Sequence, residues 1–212
     1  CNKKRRKAIR KWIRMKKIIF ATGNEGKMRE IREILSDLPY EILSMKEAGL
    51  VSDPEENGET FEENALIKAR ALHEALGDQV VDTIVMADDS GLEIDALPDV
   101  LGVKSARFMG HDTDYVIKNK RILEMMEGVA EEKRSARFVA AIAAVFPDGR
   151  EVTKRGVMEG RIGYEISGNG GFGYDPIFFL PEFNKTSADI TAEEKNAISH
   201  RGKALRMMKE EL

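Results

Sequence analysis

A chain of 212 residues, of which 42% are hydrophobic and 33% charged, has the composition of a soluble globular protein of one or two domains and not of a largely disordered one. Residues 1–14 carry eight Lys and Arg and no acid, whereas residues 15–212 carry 26 basic and 37 acidic side chains, a formal charge of −11. A body this acidic is a poor nonspecific nucleic-acid binder, and it would need a metal to bind a polyphosphate.

The basic start does not resemble a secretion signal. Only four apolar residues, 18–21, follow it before Thr22, and no apolar run reaches membrane-spanning length. The single cysteine, Cys1, cannot form an internal disulfide. We therefore expect a cytoplasmic protein with a basic, disordered extension at 1–14 and a single domain at 15–212. The extension could contact RNA or an anionic surface, but a solvated tail is the favoured interpretation.

The first predicted element is an apolar strand over residues 17–21, from which a glycine-containing loop leads into an amphipathic helix. Such a junction presents free backbone N–H groups and the positive end of a helix dipole, with Lys27 in the first turn, and this suits a phosphate. The spacing of Gly23, Gly26 and Lys27 does not fit a Walker loop. An ordinary turn with Asn24 as the helix N-cap explains the same residues.

A second strand near residues 40–44 leads to an acidic loop at 53–59. A capping box then opens a helix predicted over residues 60–76, with Lys68 two turns into it. Taken alone, Lys68 reads as a solvated helix lysine. The acidic loop either faces solvent or adds a carboxylate to a metal site.

The next feature is an apolar run over residues 80–86 that leads into Asp88 and Asp89, and we expect the strand to stop there. Adjacent carboxylates repel each other, so a fold that holds both usually supplies a cation, and hard oxygen ligands suit Mg²⁺ or Mn²⁺. Magnesium beside a catalytic carboxylate suggests phosphate chemistry. The run Asp-Asp-Ser-Gly is also an ordinary strand-to-turn signal.

Strand-like alternation continues over residues 91–95, and Asp112 or Thr113 can cap a helix that runs to about residue 127. A long β-hairpin is predicted from residues 135–146 and 151–158, because a Pro-Asp-Gly turn separates them even though the alanines of the first strand also fit a helix. Long hairpin strands often form a cleft wall or a dimer contact.

The segment 168–173 matches G-x-G-x-x-G, yet a dinucleotide site is rejected because the following residues look extended and not helical. A glycine-rich loop that delivers Phe172 and Tyr174 suits a flat base, although core packing explains both rings equally well. A last helix opens with a capping box at Thr191. It is predicted to continue to the C-terminus and carries Lys195, His200 and Arg201, which lie near one side of the helix but not in one stripe; a break around Ser199 would change that. No histidine has metal-ligand spacing, which argues against zinc.

Six motifs follow one another in residues 15–212. The first three are Thr22-Gly23-Asn24-x-x-Lys27, Gly58-Glu59-Thr60-Phe61 with Glu63-Asn64-Ala65, and Ala87-Asp88-Asp89-Ser90-Gly91-Leu92. The last three are Ser105-Ala106-Arg107-Phe108, Gly171-Phe172-Gly173-Tyr174-Asp175-Pro176 and Glu194-Lys195-Asn196-Ala197-Ile198-Ser199-His200-Arg201. Together they closely resemble the inosine triphosphate pyrophosphatase family of house-cleaning enzymes, and six motifs in this order are specific. The basic extension falls outside the family pattern.

The resemblance implies an α/β fold with an elongated central mixed β-sheet flanked by helices, and two lobes with an active-site cleft between them. It also implies a homodimer. The acidic body and the lack of a membrane-length apolar run indicate no nucleic-acid and no membrane partner. The implied reaction converts ITP, dITP and XTP to the monophosphate plus pyrophosphate, with Mg²⁺ as the cofactor and Mn²⁺ as a possible substitute. This would remove deaminated purine nucleotides from the nucleotide pool.

The resemblance also assigns roles. Asp89 would accept the proton of the attacking water and bind the metal, with Asp88 beside it and Glu55 or Glu56 as a further ligand. Lys27 and Lys68 would be the catalytic cations. The implied substrate-binding residues are Thr22, Gly23, Asn24, Glu25, Gly26 and Lys27 for the triphosphate, Ser90, then Phe172, Gly173, Tyr174 and Asp175 around the purine, and Lys195, His200 and Arg201 at its edge.

Two other functions are compatible with parts of the pattern. A Maf-like pyrophosphatase would act on pyrimidine or modified nucleotides, but the segments at 172–175 and 199–201 argue against it. A noncatalytic nucleotide or RNA binder would use residues 1–14 and would show a steep salt dependence.

Overall fold

The computed structural model describes residues 16–212, so the extension predicted at 1–14 lies outside the described residues. Its centre is a seven-stranded mixed sheet in the order β2-β1-β3-β4-β5-β6-β7. The strands are β1 (Lys17–Phe20), β2 (Glu41–Ser44), β3 (Thr83–Ile94), β4 (Ser135–Val145), β5 (Glu151–Ile162), β6 (Phe178–Leu180) and β7 (Lys185–Thr186). The helices are α1 (Glu25–Ile34), α2 (Phe61–Leu76), α3 (Tyr115–Met125), α4 (Ala192–Ile198) and α5 (His200–Lys209). The predicted fold class, a mixed sheet flanked by helices, is confirmed.

The sheet changes character at β3. Strand β1 pairs in parallel with β2 and β3, whereas every pair from β3 to β7 is antiparallel. Strand β1 ends at Phe20, opposite Met86, but β3 continues to Ile94 along β4. Beyond Met86, one edge of β3 therefore has no neighbouring strand.

The expectation that the strand stops before the aspartates is wrong. Val80 and Val81 lie in a 3-10 helix (Gly77–Asp82), and β3 runs straight through Asp88 and Asp89, which pair with Ile142 and Ala141 of β4. The long alanine-rich β4 extends the hydrogen-bonded ladder past the point where β1 has ended, and this holds the polar residues in the strand.

Helices cover both faces of the sheet. Phe20 and Met86 pack with apolar side chains of α1 and α5, whereas Val85 and Ala87 pack with those of α2. Successive residues of a strand point to opposite faces. The two adjacent aspartates of β3 consequently face different layers of helices, so their side chains are not held as one repelling pair. A third apolar cluster joins α3 to the far halves of β3, β4 and β5.

The helix boundaries follow capping chemistry that the sequence largely revealed. Asn24 caps α1 by accepting from Lys27 N at 3.0 Å, and capping boxes open α2 and α4 as predicted. The cap predicted for α3 is wrong, because Asp114 accepts from Val116 N at 2.6 Å. Thr113 instead donates its hydroxyl to Met109 O at 2.6 Å, which turns it away from the helix.

Close packing at the hairpin places the start of α5. The predicted β4–β5 hairpin is confirmed, although β5 continues to Ile162, beyond the expected end at 158. A Cβ on Gly156 of β5 would lie 2.1 Å from the carbonyl oxygen of His200, so only glycine lets α5 approach this closely. The single last helix predicted from the sequence is instead broken at Ser199, whose extended backbone ends α4 and whose side chain caps α5 by accepting from Gly202 N at 2.9 Å. None of the helices in the described part of the chain is both long and apolar enough to cross a membrane.

Candidate active site

A cleft of about 830 Å³ opens where β1 ends and β3 continues. Crevices at the carboxyl ends of parallel strands are the usual ligand sites of such sheets. Most of the residues predicted for the site line it: Thr22, Gly23, Asn24, Lys27, Glu55, Glu56, Lys68, Asp88, Asp89, Ser90, Phe172, Gly173, Tyr174, Lys195, His200 and Arg201. Glu25, Gly26 and Asp175 are not among the lining residues. The last two still contact the site, because Gly26 packs against the Phe172 ring and Asp175 accepts from Phe172 N at 2.8 Å.

Asp88 is the centre of a buried ionic network on the α1–α5 side of the sheet. Its carboxylate lies 2.6 Å from Lys27 Nζ and 2.7 Å from Arg201 Nε, and Ser90 Oγ donates to it at 2.9 Å. Burial alone would raise the pKa of Asp88, but the charges of Arg201 and Lys27 outweigh it and hold the pKa well below its usual range. Both carboxylate oxygens are thus already engaged by cations. The metal-binding role assigned to Asp88 stays a prediction.

Asp89 faces the α2 side and has a different environment. Its Oδ1 lies 2.8 Å from Lys68 Nζ, whereas its Oδ2 is buried and has no hydrogen-bond partner among residues 16–212. Burial raises the pKa of Asp89, and the charges of Lys68 and Lys27 only partly oppose this. A carboxylate with a raised pKa and a free oxygen at a cleft has the properties of a proton acceptor.

The unpaired edge of β3 brings two lysines together from opposite faces of the sheet. Lys27 Nζ and Lys68 Nζ lie 3.4 Å and 3.0 Å from the carbonyl oxygen of Asp88, which has no β1 residue opposite it. Burial lowers the pKa of Lys27, while Asp88 opposes that shift. Two cations therefore converge on one short stretch of strand, although they belong to different helices.

The residues around Asp89 fit a hard divalent cation. Glu56 Oε2 lies 3.5 Å from Lys68 Nζ, the same ammonium that pairs with Asp89, whereas Glu55 is exposed. Within residues 16–212, no three His, Cys, Asp or Glu side chains cluster as a complete metal site. Mg²⁺ typically uses one or two carboxylates and completes its shell with water and substrate phosphates. Asp89, with its free buried oxygen, and Glu56 supply a pair of this kind.

The glycine-rich loop supplies an aromatic face and a core anchor. Phe172 is half-buried, and the cations of Lys195 and Arg201 lie 5.0 Å and 5.7 Å from its ring centre. Tyr174 is buried, donates its hydroxyl to Ser105 O at 2.6 Å and packs edge-on against Tyr115. The base-binding and core-packing interpretations of this loop thus apply to different residues. Phe172 borders the cleft beside two cations, and Tyr174 packs into the core.

Glu30 is a site residue that the sequence interpretation missed. It is buried on α1, its Oε1 lies 2.7 Å from Lys195 Nζ, and its other oxygen pairs with Arg201. Burial would raise the pKa of Glu30, but Arg201 and Lys195 outweigh it and lower the pKa. A signal was present, because Lys27 and Glu30 are three residues apart and so share one face of α1.

His200 is held as a neutral imidazole at the edge of the cleft. Its ring stacks on Phe138 with centroids 5.0 Å apart, and its Nδ1 is buried without a hydrogen-bond partner in the described part of the chain. Burial lowers the pKa of His200 well below its ordinary value, and the neighbouring cations Arg201 and Lys195 lower it further.

Comparisons with known proteins agree with this geometry. The profile of a protein family described as the Ham1 family matches residues 18–211. A dITP/XTP pyrophosphatase of Clostridium perfringens is 47% identical over 93% of this chain and 98% of its own length. A dITP/XTP pyrophosphatase of Desulforamulus reducens is 45% identical over 90% of this chain and 92% of its own length. Among solved structures, a HAM1 protein from Coxiella burnetii aligns with a TM-score of 0.80 at 38% identity, covering 92% of this chain and 98% of that one. The Staphylococcus aureus Ham1 protein aligns with a TM-score of 0.78 at 36% identity, covering 92% and 97%.

Proposed function

Because the chain belongs to the Ham1 family, we infer that it is a pyrophosphatase of deaminated purine nucleoside triphosphates. It hydrolyses ITP, dITP and XTP to the monophosphate and pyrophosphate. The resemblance to the inosine triphosphate pyrophosphatase family is confirmed, since relatives matching nearly the whole chain are named dITP/XTP pyrophosphatases. The observation that carries the inference to this site is the raised pKa of Asp89 beside Lys68, in the cleft that Phe172 also lines.

The residues divide the work of hydrolysis among themselves. Asp89 accepts the proton of the attacking water, and Lys27 and Lys68 balance the negative charge of the triphosphate. A divalent cation bound by Asp89 and Glu56 would neutralise phosphate charge and make the phosphorus more electrophilic. Asp88 holds Lys27 and Arg201 in place, because both pair with its carboxylate.

Base selection rests on the donors behind Phe172. Lys195 and Arg201 carry only hydrogen-bond donors, and a purine stacked on Phe172 would present its edge to them. Donors accept the 6-oxo group of hypoxanthine or xanthine but mispair with the amino group of adenine. Each mispaired buried donor costs on the order of 1–3 kcal/mol.

Product analysis tests the bond that is cleaved and the need for a metal. With Mg²⁺ present, ³¹P NMR of an ITP reaction should show IMP and pyrophosphate in equal amounts. Excess EDTA should stop the reaction, and added Mg²⁺ should restore it, because the acidic cleft needs a cation to bind the polyphosphate. Formation of IDP and phosphate, or turnover that EDTA does not affect, would contradict the assignment.

The pH dependence should move when Lys68 is removed. Asp89 acts as a base only when ionised, so the rate falls as the pH drops through its raised pKa. Lys68 lowers that pKa by its charge. Lys68→Met should therefore shift the acidic limb of the kcat/KM profile to higher pH, in addition to reducing the rate. Lys120→Met, at an exposed position of α3 outside the cleft, serves as the control. An acidic limb that stays in place in Lys68→Met would exclude Asp89 as the titrating base.

We further propose that residues 15–212 act as one domain, that the protein works in the cytoplasm as a homodimer, and that Mg²⁺ is the metal. The dimer and the domain rest on likeness to the family. Light scattering of the purified protein tests the dimer, for which we expect twice the mass of the chain. A shortened chain that starts at Met15 tests the single domain, and we expect it to retain full activity.

A further inference from the structure

We propose that Arg107 binds the pyrophosphate part of the substrate, the two phosphates farthest from the base. This deepens the proposed function and rests on it. Arg107 is the last residue of the 3-10 helix Gly102–Arg107, and its exposed side chain lines the cleft together with Lys27 and Lys68. None of the roles described so far uses it.

The first argument is the pairing of the other cations in the cleft. Lys27 pairs with Asp88, Lys68 with Asp89 and Glu56, and Lys195 and Arg201 with buried carboxylates. Arg107 forms no ion pair within residues 16–212. A triphosphate brings several negative charges, and a cation without a carboxylate partner can pair with them at no cost of a broken ion pair.

The second argument is the direction of the guanidinium. Arg107 Nη1 and Nη2 each lie 3.5 Å from the carbonyl oxygen of Glu56, which is the long limit of a hydrogen bond. The guanidinium therefore faces the acidic loop, whose Glu56 side chain is near Lys68. Its two terminal nitrogens form the fork that binds two phosphate oxygens at once.

The third argument is the way the backbone before Arg107 is held. The buried Tyr174 hydroxyl donates to Ser105 O at 2.6 Å, and the fully buried Lys118 ammonium donates to Ala106 O at 2.8 Å. The carbonyl of Arg107 itself accepts from Gly110 N at 2.9 Å. Burial of an ammonium is costly. The buried Lys118 ammonium fixes the carbonyl of Ala106, the residue before the exposed Arg107. This indicates that the position of Arg107 is important for function.

Arg107→Gln tests the proposal by removing the charge and keeping much of the length. We expect the KM for ITP to rise about 10- to 100-fold, the range for losing one charge-assisted contact. In isothermal titration calorimetry with Mg²⁺ present, the affinity for inorganic pyrophosphate should fall by a similar factor, while the affinity for IMP stays unchanged. Arg107→Lys should recover part of the loss, because it keeps the charge but not the fork. Arg121→Gln, an exposed arginine of α3 outside the cleft, is the matched control.

Each other outcome overturns the proposal in a distinct way. If Arg107→Gln behaves like Arg121→Gln, Arg107 does not contact the substrate. If IMP and pyrophosphate affinities fall equally, Arg107 acts by holding the Glu56 loop or the base loop. A wild-type protein that hydrolyses no nucleotide would refute the proposed function, and pyrophosphate titration of the wild-type and Arg107→Gln proteins would still decide the role of Arg107.

Discussion

Asp89→Asn should lower the turnover of ITP by about 10²- to 10⁴-fold, the usual contribution of a general base. The amide has nearly the same shape, and its oxygen can still accept from Lys68, but it cannot take a proton from water. Because burial raises the pKa of Asp89, the folded protein disfavours its charge. The neutral substitution should therefore leave the thermal unfolding temperature unchanged or raise it.

The measurement is steady-state turnover beside differential scanning calorimetry, with Asp78→Asn at an exposed position as the control. Loss of activity together with lower thermal stability would show that Asp89 serves the fold. Near wild-type turnover in Asp89→Asn would remove it from the mechanism.

Arg201→Met should have the largest effect on stability. Arg201 is 2% exposed and pairs with Asp88 and Glu30, which are both buried. Removing one partner of a buried ion pair leaves uncompensated charge and typically costs about 3–5 kcal/mol. Urea unfolding at neutral pH should show this loss of stability. Turnover of ITP should also fall strongly, because the ion pairs that position Asp88 and Lys27 in the cleft are disrupted. Arg70→Met, which breaks an exposed pair with Glu151, should cost no more than about 1 kcal/mol.

The pH dependence of this loss identifies its cause. In the wild-type protein the pKa values of Asp88 and Glu30 are lowered, so their stabilising effect is present at neutral pH and is lost as the pH falls through those values. Without Arg201, the pKa of both carboxyls rises relative to the wild-type protein, because only Lys27 and Lys195 are left to oppose the effect of burial. The stability difference between the two proteins should shrink towards acidic pH. A difference that stays constant with pH would point to lost packing instead of unpaired charge.

Local signals in the sequence predicted the starts of α1, α2 and α4 and the hairpin, whereas the resemblance to the family supplied the residues that line the cleft. Asn24 and Thr191 cap their helices through contacts only three residues away, so short-range chemistry was sufficient. The sequence predicted one continuous last helix, so the break at Ser199 was revealed only by the structure.

What the sequence could not predict depends on contacts between distant elements. The strand through Asp88 and Asp89 continues because β4 pairs with it after β1 has ended, and this places the two carboxylates on opposite faces. Nothing within a few residues of this pair reveals the length of its partner strand. Glu30 is 171 positions from its partner Arg201, so its role in the ionic network emerges only when α1 and α5 pack together.

The preference among nucleobases tests the proposed function most directly. Pyrophosphate release should be measured with ITP, XTP, GTP, ATP, dTTP and UTP, each with Mg²⁺ and again with EDTA. We expect metal-dependent release with a kcat/KM for ITP and XTP about 100-fold above that for ATP, because adenine mispairs with the donors behind Phe172. Preference for dTTP or UTP would contradict the purine assignment in favour of a Maf-like activity. Release from none of the six would contradict the assignment as a pyrophosphatase.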